Sequence, residues 1–199
     1  IKVKVDQCCM GPSDGSVEIN YQRDVSTLAS VVLKEMQVGN STVQNDKKMH
    51  VSQLKLDTYA IQKSLEKIDL VKIDVEGYEW DVLEGASSLF QQRNIDLVMF
   101  EFGQHQGVLN QSFKQFWDFF SDNGFHLYRQ AMGRNFFGLQ HIDRYHNSLE
   151  TFDSMWMIVA AREKHDEERN SPFVIGKYRA PMPVPKNLWR KLGSKLLSN

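Results

Sequence analysis

Cysteine is scarce in this chain: only two occur in 199 residues, Cys8 and Cys9, and they are adjacent. A disulfide framework needs separated pairs, so a reducing compartment, the cytoplasm, is expected. Long hydrophobic runs are missing too. None approaches the ~20 residues that cross a bilayer, and the opening "IKVKVDQCC" alternates apolar and charged residues where a signal peptide has an apolar block. Surplus charge is absent, since 24 Lys and Arg face 25 Asp and Glu, for a formal net charge of −1. That balance supplies no global attraction for nucleic acid. There is no Cys-x-x-Cys and no Gly-Lys-Ser/Thr phosphate loop. His141 and His146 are five apart, off the i, i+4 face that a helical metal pair needs.

What is present is the balance of a soluble globular domain, 41% hydrophobic and 25% charged, with enough chain to bury a core. "IKVKV" (1–5) alternates with period two and predicts a strand; "GPSDG" (11–15) is turn chemistry, and "SVEINY" (16–21) predicts a second strand. Residues 22–48 are polar and weakly patterned, with "VGNSTVQNDKK" expected as a loop. "HVSQLKLDTY" brings another strand, with Asp57 as the N-cap of a helix reaching Leu65.

The strongest unit follows. "IDLVKIDV" (68–75) is a near-continuous apolar run, the mark of a strand covered on both faces. Val82, Leu83, Ala86, Leu89 and Phe90 recur at helical spacing, predicting a helix over 77–91 with Glu76 and Glu79 at its positive end. "NIDLVMFEFG" (94–103) is a second buried strand, so the three form a βαβ unit with parallel strands. A helix starting at Ser112 with Gln115 as its capping-box partner carries the core stripe Phe113, Phe116, Trp117 and Phe120. "FHLYRQ" (125–130) and "SMWMIVAAR" (154–162) are further strands, the latter central. The segment 131–153 between them is long enough to cover a site.

The domain is expected to span 1–165. From 166 to 199 the chain becomes a basic, proline-rich tail, holding four of the five prolines (Pro172, Pro181, Pro183, Pro185). Between Ser171 and Asn199 lie six Lys or Arg and no acid, and "NLWRKLGSKLL" places Leu188, Trp189, Leu192 and Leu196 on one face of a short amphipathic helix. Such a tail suits an anionic membrane surface, a partner, or its own domain.

Ligands of open parallel sheets bind outside the carboxyl ends of the strands. Asp74 ends one strand of the βαβ unit and Glu101 its neighbour, and parallel strands lie about 4.8 Å apart. Both carboxylates, with His105 four residues on, are therefore candidates to border one crevice. The structural alternatives stay open: Asp74 as a turn residue, Glu76 serving its helix N-terminus, Glu101 accepting from loop amides, His105 as an ordinary loop histidine.

The segment "LKLDTYAIQKSLEKIDLVKIDVEGYEWDVLEGASSLFQQRNIDLVMFEF" resembles the signature region of the FkbM-type family of S-adenosylmethionine-dependent methyltransferases. The matching residues are Leu56-Asp57, Lys72 to Gly77, Glu79, Val82-Leu83, Gly85-Ala86 and Glu101, and "VKVDQCCMGPSDGSVEIN" is similar to the strand and turn that precede them. The likeness covers about residues 1–130. It implies an α/β class I methyltransferase (Rossmann-like) fold, a mostly parallel sheet with one antiparallel strand near the end, a place that "SMWMIVAAR" suits. The family's glycine-rich donor turn and ribose-binding acid have no counterpart here, as if the first two strands were lacking. The native protein is expected to continue upstream of Ile1, or a partner to supply that half.

The activity implied is O-methylation of a hydroxyl on a small-molecule, sugar or polyketide-like acceptor, with S-adenosylmethionine as donor. Asp74, Glu101 and His105 are the candidate catalytic residues, while Gln7, Cys8, Asp74 and Glu76 are the candidate donor-binding residues, with Gln7 and Cys8 near the adenine. A magnesium or calcium ion on Asp74, Glu101 and His105 is a less favoured variant. The competing reading is a catalytically inactive module of the same fold that binds a partner or membrane surface.

Overall fold

The computed structural model describes residues 2–22, 29–32, 35–38, 41–133, 136–162 and 174–177. The unit that positions everything else is β6 (Ile68–Ile73), α2 (Glu79–Glu84), α3 (Ser87–Gln91) and β7 (Ile95–Phe102). β6 and β7 pair in parallel, Val71 beside Val98 and Ile73 beside Phe100, as the hydrophobic pattern predicts. β10 (Trp156–Ala161) runs antiparallel to β7 on its other side and to β8 (His126–Gly133) beyond. β10 is thus reversed relative to both its neighbours, as the resemblance implies for this strand.

β9 (Phe136–Ile142) and β11 (Val174–Lys177) complete a six-stranded sheet of order β11-β9-β8-β10-β7-β6. Only its β6–β7 and β11–β9 neighbours are parallel, so the expectation of a mostly parallel sheet gives way to a mixed one. The physical reason is the β8–β9 hairpin, which adds antiparallel pairing where a long covering segment was expected at 131–153. β6 is an edge strand rather than one covered on both faces, and Leu70 on it is 48% exposed.

A second, three-stranded sheet has β5 (Lys47–Leu54) at its centre, flanked by β1 (Cys9–Met10) and β2 (Gly15–Tyr21). The strand expected over 1–5 is absent: Val3 and Val5 are 79% and 91% exposed, and parallel pairing with β5 begins only at Cys9. Alternation confers strand propensity, but backbone groups need a partner to become a strand. Part of the loop expected within 22–48 is a hairpin of β3 (Glu35–Val38) and β4 (Ser41–Gln44).

One face of the large sheet carries the core. Phe100 stacks on Phe116 and Phe120 of α5 (Phe113–Asp122), with ring centroids 5.2 and 5.3 Å apart. Phe113, Phe116 and Phe120 are fully buried and Trp117 packs partly buried against them, so the aromatic stripe is core. Each such ring contributes about 1.5–3 kcal/mol by leaving water. Ser112 caps α5 through its hydroxyl, which accepts from the Gln115 amide at 3.2 Å.

Two expected helices came out differently. α1 (Leu56–Gln62) has Lys55, not Asp57, at its N-cap. Asp57 lies in the first turn and reaches across to α3, accepting from the Ser88 and Leu89 amides at 2.9 and 3.0 Å. The single helix expected over 77–91 is broken at Gly85–Ala86 into α2 and α3. The Gly85 carbonyl accepts from the Asp57 amide at 3.0 Å, and a Cβ on Gly85 would stand 2.0 Å from the Gly11 carbonyl oxygen. The small sheet is bolted to the large one at that break. The tail residues 178–199, including the expected amphipathic helix, lie outside the described residues.

Gly85→Ala should lower stability by ~1–3 kcal/mol in urea unfolding, the usual cost of overpacking. An unchanged midpoint would show that the Gly11–Gly85 contact has slack.

Candidate active site

The chain turns sharply at the carboxyl end of β6. Glu76 has φ 52° and Gly77 φ 100°, two successive residues in the left-handed region. A non-glycine residue there costs of order 1 kcal/mol or more and persists only where its surroundings enforce it. Three contacts enforce it here. Glu79 Oε1 accepts from the amides of Val75 and Gly77, both at 3.3 Å, on either side of Glu76. The Ser30 hydroxyl donates to the Glu76 carbonyl at 2.7 Å, bringing residues 29–32 of the weakly patterned 22–48 segment against the turn.

The neighbouring strand end is tied to the same carboxylate. β7 runs into Gly103 and then α4 (Gln104–Val108), a short helix in a segment read as loop. Gln106 Nε2 donates to Glu79 Oε2 at 2.7 Å, and Gln106 Oε1 accepts from the Gly103 amide at 2.8 Å. Glu79 is 1% exposed and Gln106 not at all. Their partners satisfy what would otherwise be costly buried polar groups.

Glu76 and His105 face each other across this junction. Glu76 Oε2 lies 3.3 Å from His105 Nδ1, and the two side chains are 19% and 13% exposed. The pair is juxtaposed but not aligned, so the buried Nδ1 has no hydrogen-bond partner. Burial first, then the charges of Asp74, Glu101 and Glu79, pushes the Glu76 carboxyl up to about 7. Burial likewise holds the His105 imidazole below its ordinary value. Near neutrality the Glu76 carboxyl is therefore partly protonated, beside an imidazole that burial biases toward its neutral form.

The other expected acids sit around them. Strand alternation puts Glu101 on the face of Leu97 and Met99, opposite the aromatic core. Its carboxyl is raised by burial and by Asp74, and lowered by Lys72. Asp74 is half-exposed and ion-paired with Lys72. The structure therefore brings Asp74, Glu76, Glu101 and His105 to one sheet end, but gives Asp74 a cationic partner that Glu76 lacks.

Gln7 and Cys8 are not part of this cluster. Gln7 is exposed, and Cys8 acts electrostatically on Tyr59, Lys63 and Cys9, on the α1 side. Two open clefts, of about 380 and 360 Å³, are lined around Asp57–Asn94 and Phe90–Gly124, away from the acids. Among the described residues no three His, Cys, Asp or Glu side chains lie together as metal ligands, so the variant with a divalent ion has no ligand set here.

Glu79 and Gln106 went unrecognised as site residues. The resemblance included Glu79, but periodicity suggested only a favourable helix-terminal charge. Gln106 carries no sequence signal, because its role depends on Gly103 and on a residue 27 positions away.

A family model, the methyltransferase FkbM domain, matches residues 2–127, well over half the chain. The chain belongs to the FkbM methyltransferase family. No curated protein and no solved structure is significantly similar to it. The match covers the β6 turn, β7 and the start of β8, so the Glu76–His105 junction lies within the FkbM domain. Among the described residues no helix is long and apolar enough to cross a membrane.

Glu76 carries a testable signature. Its folded-state value of about 7 lies above its ordinary 4.5, so the folded state holds the proton more tightly than the unfolded one. Glu76 therefore costs stability as pH rises above about 4.5, and the cost is complete above about 7. Glu76→Gln should stabilise the protein by about 1–2 kcal/mol at pH 8, allowing for partial solvation, with the gain vanishing below pH ~4.5. A gain independent of pH would show that the carboxyl's ionisation is not strained.

Proposed function

We propose that this domain transfers a methyl group from S-adenosylmethionine to a hydroxyl of a small-molecule, sugar or polyketide-like acceptor. One observation carries the reading: a carboxyl raised to about 7 lies beside a partly buried imidazole, at the carboxyl end of two parallel strands of a methyltransferase-family domain. A base with affinity near the operating pH is what removal of a hydroxyl proton needs, and such help is typically worth 10²–10⁴-fold.

The donor, when bound, supplies an electrophilic methyl carbon on a cationic sulfur. The partly desolvated carboxylates suit that positive charge, and Asp74 and Glu76 are the residues that would hold it. Glu76 and His105 take up the acceptor's proton, and the unpartnered Nδ1 leaves the imidazole free to accept it. Glu101, its carboxyl raised by burial and then by Asp74, orients the acceptor hydroxyl. The Ser30 contact lets residues 29–32 influence which acceptor reaches the turn. Lys72 pairs with Asp74 beside the others. The adjacent free thiols Cys8 and Cys9 suit a cytoplasmic protein.

Titration of S-adenosylmethionine into the full-length gene product should show saturable heat, and a panel of monosaccharide acceptors should release S-adenosylhomocysteine. Glu76→Gln should cut turnover by ~10²-fold or more and Asp74→Asn by less. Absence of donor binding in the full-length protein would leave only a non-catalytic binding module.

A further inference from the structure

Glu79 and Gln106 form a chain of hydrogen bonds that can run in only one direction. An amide N–H can only donate, so the Gly103 amide obliges Gln106 to turn its Oε1 toward it. The Gln106 Nε2 must then face Glu79, which must accept. The other Glu79 oxygen meets two more backbone donors, those of Val75 and Gly77. Every donor in the set points at an acceptor, and no link reverses alone without setting donor against donor.

The ends of this chain bracket the reactive pair. Val75 and Gly77 are the immediate neighbours of Glu76, and Gln106 is the neighbour of His105. Glu76 holds a left-handed backbone conformation that nothing in its own side chain explains. We propose that Glu79 and Gln106 are positioning residues: a directional clamp that joins the two strand-end turns and holds the Glu76 carboxyl against the His105 imidazole.

The direction of the chain makes the clamp testable by exchange. In Glu79→Gln the new amide sets a donor against either Gln106 or the turn amides. Gln106→Glu sets one buried carboxyl against another. The double swap E79Q/Q106E restores the order: residue 79 accepts from Val75 and Gly77 and donates to residue 106, which still accepts from Gly103. Each single variant should speed hydrogen exchange of the Val75, Gly77 or Gly103 amides by roughly tenfold, the loss of about one net hydrogen bond. Each should also move the His105 imidazole titration, followed by NMR, upward toward the ordinary histidine value. The double swap should recover slow exchange and most of the wild-type His105 midpoint. If Glu79→Gln does not fold, the double swap must fold where it fails.

A double swap no better than the single variants overturns the directional clamp. Single variants that exchange faster but leave the His105 midpoint unmoved overturn the positioning role. A further arm rests on the methyltransferase reading: release of S-adenosylhomocysteine with the monosaccharide panel should fall by ~10²-fold in the single variants and return in the double swap. Exchange and His105 titration do not depend on catalysis. If they behave as stated while the wild-type protein transfers no methyl group, the clamp stands and the functional reading falls.

Discussion

The arrangement depends on one buried carboxylate that does no chemistry of its own. Glu79 is 1% exposed, and placing it there is costly unless its acceptors are filled. The donors that fill them come from the turn after β6 and, through Gln106, from the turn after β7. The cost of burial and the closeness of the two strand ends are therefore one constraint. The same bonds favour the ionised form while burial opposes it, and burial is the stronger influence on this carboxyl.

The Glu76–His105 pair follows from that constraint. With the turn enforced, Glu76 takes φ 52° and its carboxyl lies partly withdrawn from water among Asp74, Glu101 and Glu79. Like charges in a partly desolvated place raise one another's affinity for protons. Asp74 is ion-paired with Lys72, whereas among the described residues Glu76 has beside it only the neutral-leaning His105. A Glu76 carboxyl raised to about 7 results from burial first and from the neighbouring acids second.

Much of the frame was legible from the residues. The apolar runs at 68–75 and 94–103 identified the parallel strands, and "SMWMIVAAR" the reversed strand between β7 and β8. Helix periodicity could not show where a helix breaks, because Gly85 is decided by a backbone contact with Gly11, 74 positions earlier. Asp57 has the chemistry of a cap, but which helix it caps is set by how α1 lies against α3. The alternation of "IKVKV" was real, yet β5 offers pairing only from Cys9 onward. At the site, the acids and His105 were visible as residue types. The ranking among them was not, since it turns on Lys72 reaching Asp74 and on burial of the turn.

The account rests on Glu76 being held out of water against His105 by the clamped turn. The most direct measurement is the titration of the Glu76 carboxyl itself, by carbon-13 NMR of protein labelled at glutamate. A midpoint near 7, coupled to a shift in the His105 ring signals, is the predicted result. A midpoint near 4.5, with the imidazole indifferent to it, would contradict it.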